Sequence, residues 1–237
     1  MDVTLANILS GKTRDHLTPY SGPCSSSFAI HRDAEADFKR LQEAAQAAGF
    51  DLQVISSFRS FQAQEKIWNA KAQGLRPLLD TQGNILDYSQ LSPLERLYAI
   101  LRWSALPGAS RHHWGTDLDV YDALSIPAAG YQIQLTAQES TRYFAAFHEW
   151  LDARIVGQQS FGFYRPYAED LGGVAPEPWH LSYFPIAHGY TQALSLPFIR
   201  TTIENSTIAL RELVLENSEK IFTSYIVNIN SWRPDSA

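Results

Sequence analysis

The 237-residue chain has a single cysteine, Cys24. One thiol excludes an internal disulfide and any thiolate-rich metal site. With no basic pair or helix start beside it, Cys24 reads as an inert structural residue. Long apolar runs are also missing. Polar residues interrupt every hydrophobic stretch well short of the roughly 20 needed to span a bilayer, so no membrane span is expected. Nor is there a Lys/Arg cluster. With 19 basic against 25 acidic residues and a net charge of −6, nothing is gathered to neutralise phosphates, which argues against a nucleic-acid partner. No Gly-rich phosphate loop, internal repeat or low-complexity tract occurs. The opening MDVTLANILSGKTRDHL lacks a basic segment ahead of an apolar one, so no signal peptide is expected. As the sequence stands the expectation is a cytoplasmic protein; a removed leader would make it periplasmic or secreted.

What is present suits a globular chain: 45% hydrophobic and 19% charged residues allow a well-buried core. Residues 1–30 hold Gly, Pro and Ser clusters between Tyr20 and Ser27 and are expected to form a surface-hugging lead-in. Asp33 is expected to cap a helix through Ala48, with Phe38, Leu41 and Ala45 on one face and Gly49 as the stop. Phe50–Phe58 alternates like a strand. Ser60 caps a second helix ending at Gly74, and Ser92–Trp103 is a third. Gly115–Tyr121 reads as a strand with Thr116, Leu118 and Val120 on one face and Asp117 and Asp119 on the other. Gln138–Ala153 reads as one helix, Phe161–Tyr164 and Trp179–Phe184 as short strands, and Pro197 to about Asn230 as one or two further helices. Mixed elements without βαβ alternation predict an α+β fold.

Three stretches concentrate polar chemistry: Ser110-Arg-His112-His-Trp-Gly115-Thr-Asp-Leu-Asp119, Glu177-Pro-Trp-His180, and Ser56-Ser-Phe-Arg59-Ser-Phe-Gln-Ala-Gln64. Imidazole and carboxylate groups are suitable zinc ligands, and three of them plus a water make an open, catalytic site. His112 and Asp119 can stand at two ends of a turn-to-strand segment that bends at Gly115, with His180 arriving from a neighbouring strand. Glu177, held by Pro178, can reach a zinc-activated water without being a ligand. Arg59, just past a strand end, can bind a carboxylate or stabilise charge on a carbonyl oxygen. Asp117 shares a strand face with Asp119, so both can approach a metal; a solvated or hydrogen-bonded carboxylate is the simpler reading of Asp117. Trp179, Tyr164 and Tyr183 could serve as cleft wall or as core. His16, His31, His148 and His188 have no partner at ligand spacing.

The pattern S-x-H-x-x-G-x-x-x-D, followed by E-P-W-H and preceded by S-x-[FY]-R-S-x-x-x-Q, resembles the zinc D-alanyl-D-alanine carboxypeptidases of the VanY type. Their superfamily also holds peptidoglycan endopeptidases and the hedgehog signalling domain. The resemblance covers about residues 30–190. It implies a small, mainly antiparallel sheet flanked by helices with a zinc-binding cleft. It also implies a Zn2+ cofactor held by His112, Asp119 and His180, with His113 left to packing. Glu177 would be the catalytic base and Arg59 a substrate or oxyanion contact, with Gln64, Ser110 and Trp179 lining the substrate site. The expected division is a lead-in to residue 30, a zinc peptidase domain over 31–192 and a helical C-terminal extension over 193–237. The implied substrate is a peptidoglycan stem peptide or muropeptide, cut beside a D-amino acid by a carboxypeptidase. An L,D-carboxypeptidase, a D-Ala-D-Ala dipeptidase, a stem-peptide endopeptidase and a non-catalytic zinc-containing binding module remain open. Oligomeric state is not legible.

Overall fold

The computed structural model describes residues 1–25 and 27–232; the last five residues of the expected C-terminal extension, and Ser26 of the Ser cluster, lie outside them. In chain order the elements are α1 (Val3–Leu9), β1 (Leu17–Pro19), β2 (Ala29–His31), α2 (Glu35–Ala47), β3 (Leu52–Ser56), α3 (Phe61–Ala72) and α4 (Pro93–Trp103). Then come β4 (Asp117–Asp122), α5 (Ala137–Arg142), α6 (Ala145–Val156), β5 (Phe163–Tyr164), β6 (His180–Tyr183), α7 (Phe184–Ala193), α8 (Leu196–Glu204), α9 (Arg211–Glu216) and α10 (Ser218–Ile221). The fold is α+β. Its main sheet is antiparallel throughout, in the order β3-β4-β6-β5, and β1 pairs with β2 apart from it.

Local sequence accounts for half of the named α-helix starts by side-chain capping. The Ser60 hydroxyl accepts from Ala63 N, and Ser92 and Glu95 form a reciprocal capping box with Pro93 at the first helical position. Strand alternation sorts β4: Leu118 and Val120 enter a core with Phe38, Leu41, Val54, Phe147, Phe163 and Leu181, which leaves Asp117 and Asp119 on the opposite face. A second core joins Leu9, Trp68, Leu97, Ile100, Trp114, Ala187, Ile199, Val214 and Ile221, so α1 and the C-terminal helices share packing with α3 and α4. Among the described residues, no helix is long and apolar enough to cross a membrane.

Several expectations need correction. The segment before residue 30 is not a mere surface lead-in. Asp2 caps α1 by accepting from Leu5 N, and Leu9 is fully buried. Asp33 does not cap α2: the His31 ring accepts from Asp33 N and starts a single 3-10 turn that feeds the helix. The expected 138–153 helix is two, because Phe144 leaves helical geometry (φ −106°, ψ 11°) where its ring is buried. Among the described residues, the chain around and beyond Pro197 breaks into three α-helices followed by a π-helical turn at Phe222–Ile226. Leu210, at φ 63°, adopts a left-handed conformation that no helix continues through.

If α1 is integral, Leu9→Ala should cost about 2–5 kcal/mol in urea unfolding. Val3→Ala, at a side chain 73% exposed, should change stability by less than about 0.5 kcal/mol.

Candidate metal centre

The site begins with a turn. Residues Arg111–Trp114 make one 3-10 turn, and Gly115 ends it at φ 66°. A Cβ at Gly115 would lie 2.3 Å from Leu17 Cδ2 and 3.0 Å from His31 N. Only glycine takes both the left-handed angle and the close approach. The turn delivers the chain into β4, whose Asp119 stands opposite His180 in the β4–β6 register.

Those three side chains converge. One donor atom each of His112, Asp119 and His180 falls within 4.8 Å of the others, and all three residues are buried. His112 Nε2 is 3.3 Å from Asp119 Oδ2, and His180 Nδ1 is 3.3 Å from Asp119 Oδ1. The far nitrogens are already committed. His112 Nδ1 lies 2.9 Å from the Ser57 carbonyl, which can only accept, so that nitrogen donates. His180 Nε2 lies 3.0 Å from Asp117 Oδ1. Each neutral ring therefore has its remaining nitrogen directed into the shared space, where a metal could take the place of a proton. The donor set, two imidazoles and one carboxylate, fits zinc in a three-ligand site.

Electrostatics point the same way. Burial pushes Asp119 up, but His112 and His180 outweigh it and hold the carboxyl well below its usual range. Burial pulls His180 down, yet Asp117, Asp119 and Glu177 raise it well above 6.5. The carboxylates thus favour a cation, whether a proton or a metal ion. Glu177 Oε2 lies 3.3 Å from His180 Nδ1.

These residues floor a cleft of about 290 Å³ that also meets Arg59, Ser110, Tyr167 and Trp179. Ser110 is fully buried, and its hydroxyl meets no partner among the described residues. Gln64 does not line the cleft as expected. It is fully buried behind Arg59, accepting from Arg59 Nη1 at 2.7 Å and donating to Ala105 O at 2.7 Å. Arg59 Nη2 also donates to Ser56 Oγ at 2.8 Å. Tyr164 and Tyr183 are likewise not cleft residues: their hydroxyls meet Arg111 and Asp37. Sequence reasoning missed Tyr167, whose ring packs edge-on against His180 at 5.0 Å, and Lys71 and Arg76, which also line the cleft. Lys71 follows Gln64 by seven positions on α3, two turns along one face, and that spacing was the signal available for it. His113 points away from the ligands. It accepts from Gly108 N and donates to Arg59 O at 2.6 Å, and burial pushes its imidazole down to about 3.

The VanY D-alanyl-D-alanine carboxypeptidase family profile matches residues 27–186. The chain belongs to that family. Two Haemophilus influenzae proteins, each described only as uncharacterized, are similar to it. One is 43% identical over 99 residues, 42% of this chain and 68% of its own. The other is 32% identical over 126 residues, 52% of this chain and 93% of its own. The solved structure of the LdcB LD-carboxypeptidase aligns over 94% of this chain and 88% of its own, at 18% identity and a TM-score of 0.52, a likeness of fold.

The adjacent histidines should separate cleanly. His113→Ala should cost about 2–4 kcal/mol by leaving Gly108 N unpaired beside a cavity, while bound metal, read by elemental analysis, stays near wild type. His112→Ala should lose the metal.

Proposed function

We propose that this VanY-family chain is a zinc-dependent carboxypeptidase that cleaves a peptide bond beside a D-amino acid in peptidoglycan stem peptides. The metal would be held by His112, Asp119 and His180. The observation that carries the reading is the convergence of three correctly presented donor atoms in a cleft whose wall also holds Glu177. When bound, zinc supplies Lewis acidity toward a carbonyl oxygen and toward water. Glu177 takes the proton from the attacking water at its carboxylate and returns it to the leaving amine. Its place three residues before His180, beside the Nδ1 edge of that ring, supports this role. Arg59 has its planar guanidinium held by Gln64 and Ser56 through two of its five N–H groups. The rest are available to a substrate carbonyl or carboxylate. Ser110 offers an uncommitted hydroxyl, and Trp179 with Tyr167 supplies an apolar wall.

An exopeptidase is favoured over an endopeptidase by the cations around Arg59. Lys71 and Arg76 line the same cleft, and among the described residues none of the three has a carboxylate within ion-pair reach. Burial and the neighbouring Arg76 outweigh the opposing pull of Glu177 and, with Arg59, bring the Lys71 ammonium down to about 8. Three cations on one cleft wall favour an anion, and a free C-terminal carboxylate is such an anion. D,D-carboxypeptidase, L,D-carboxypeptidase and D-Ala-D-Ala dipeptidase all present one. Release of a single D-alanine from a defined stem pentapeptide, read by mass, is the expected product. A binding module would have no use for Glu177.

Glu177→Gln should lower turnover by about 10²–10⁴-fold with zinc still bound; retained turnover would remove Glu177 from the mechanism. Wild-type protein should cleave a peptide acid well and its C-terminal amide poorly. Lys71→Met should raise KM for the acid and leave the amide unchanged. In the wild type the acid's KM should rise as pH climbs through about 8, because Lys71 loses its charge there.

A further inference from the structure

Behind His180 lies a second buried carboxylate with no assigned purpose. Asp117 has no exposed surface. Its Oδ1 meets both His180 Nε2 at 3.0 Å and Arg111 Nε at 2.8 Å, and its Oδ2 accepts from Thr116 Oγ1 at 2.6 Å. Arg111 is equally committed. Its Nη1 donates to Thr191 Oγ1 at 2.9 Å, its Nη2 to Ser182 Oγ at 2.6 Å and to Tyr164 OH at 3.3 Å, and its plane lies over the Trp114 ring at 4.7 Å. The elements that supply these partners are β4, β5, β6, α7 and the turn before β4.

A buried ion pair of this kind is a poor source of stability, because desolvating both charges offsets most of their attraction. An apolar pair would fill the same space. What an apolar pair would not do is accept a hydrogen bond from His180. An ionised carboxylate can only accept, so the proton of His180 is kept on Nε2 and the lone pair on Nδ1, which faces Asp119 and His112. Arg111 fixes the carboxylate in turn and balances its charge.

We propose that Asp117, clamped by Arg111 and Thr116, is a positioning residue that sets the tautomer and ring orientation of His180 and so strengthens metal binding. This rests on the proposed ligand set and adds to it Asp117, Arg111 and Thr116, none of which is among the three proposed ligands. The pair is specific in its geometry: Asp117 precedes Asp119 by two positions on one strand, so the ligand and the group that orients the other ligand leave the same face of β4.

The test uses Asp117→Asn, which keeps the shape and removes the charge. Zinc affinity of the metal-free protein, measured by chelator competition, should weaken about 10–100-fold. The visible absorption bands of the cobalt(II)-loaded protein should shift, as the ring loses its fixed orientation. Ile100→Val, in the distant apolar core, should lower the unfolding midpoint without changing affinity or spectrum, so a merely structural effect is recognisable. Thr116→Val removes only the hydrogen bond to Oδ2. It should give a smaller change in the same direction, and it carries the test if the Asn variant fails to fold. Unchanged affinity and cobalt spectrum in a folded variant, beside a wild type that binds zinc, would overturn the proposal. A wild type that binds no zinc would instead overturn the ligand set itself.

Discussion

Everything in the cleft depends on one antiparallel register, Asp119 opposite His180. Strand pairing fixes side chains to within a fraction of a residue, because a slip of one position sends every side chain to the other face. Here such a slip would place Leu118 or Leu181 in the cleft and drive a carboxylate or an imidazole into the apolar core. The hydrophobic burial of Leu118, Val120 and Leu181 therefore sets the donor geometry on the opposite face. Gly115 is the second constraint. It lets the His112 turn fold back so that a residue seven positions before Asp119 ends within 3.3 Å of it.

The site's charges explain why it needs so much scaffolding. Asp117, Asp119 and Glu177 surround one imidazole, and Arg111 counters them from behind while Arg59, Lys71 and Arg76 counter them across the cleft. Unpaired, a carboxylate in this setting would take a proton rather than stay ionised. The arrangement keeps negative charge close to the proposed metal position and positive charge on the substrate side. A peptide carbonyl and a terminal carboxylate would meet cations, while the ion would meet its ligands.

Much of this was legible in the sequence. Alternation in 115–121 placed two aspartates on the polar face, and Ser60 and Ser92 announced two helices by local capping chemistry. The ligand candidates were legible because their spacing is short-range: turn, glycine, strand. What escaped depends on contacts between distant segments. α1 looked like lead-in because its one fully buried position, Leu9, packs against residues far along the chain. Gln64 looked like a cleft residue because nothing in its neighbourhood revealed Ala105 O, the acceptor that fixes its amide. Lys71 and Arg76 carried no motif, and their meaning comes from sharing one cleft with Arg59 in three dimensions.

His112 and His113 show how the structure divides two adjacent like residues. Both are buried, and both use Nδ1 to hold a backbone carbonyl of the same loop, Ser57 O for one and Arg59 O for the other. They differ in what the second nitrogen finds. His113 Nε2 accepts from Gly108 N and is closed; His112 Nε2 faces only Asp119 and the cleft. Two chemically identical neighbours thus become a brace and a candidate ligand through the direction of one ring edge. The brace also holds the backbone of Arg59. The loop that carries the substrate-facing cation and the turn that carries the metal-facing imidazole are in this way locked to each other before anything binds, and such preorganisation favours catalysis by sparing the reorganisation of polar groups during reaction.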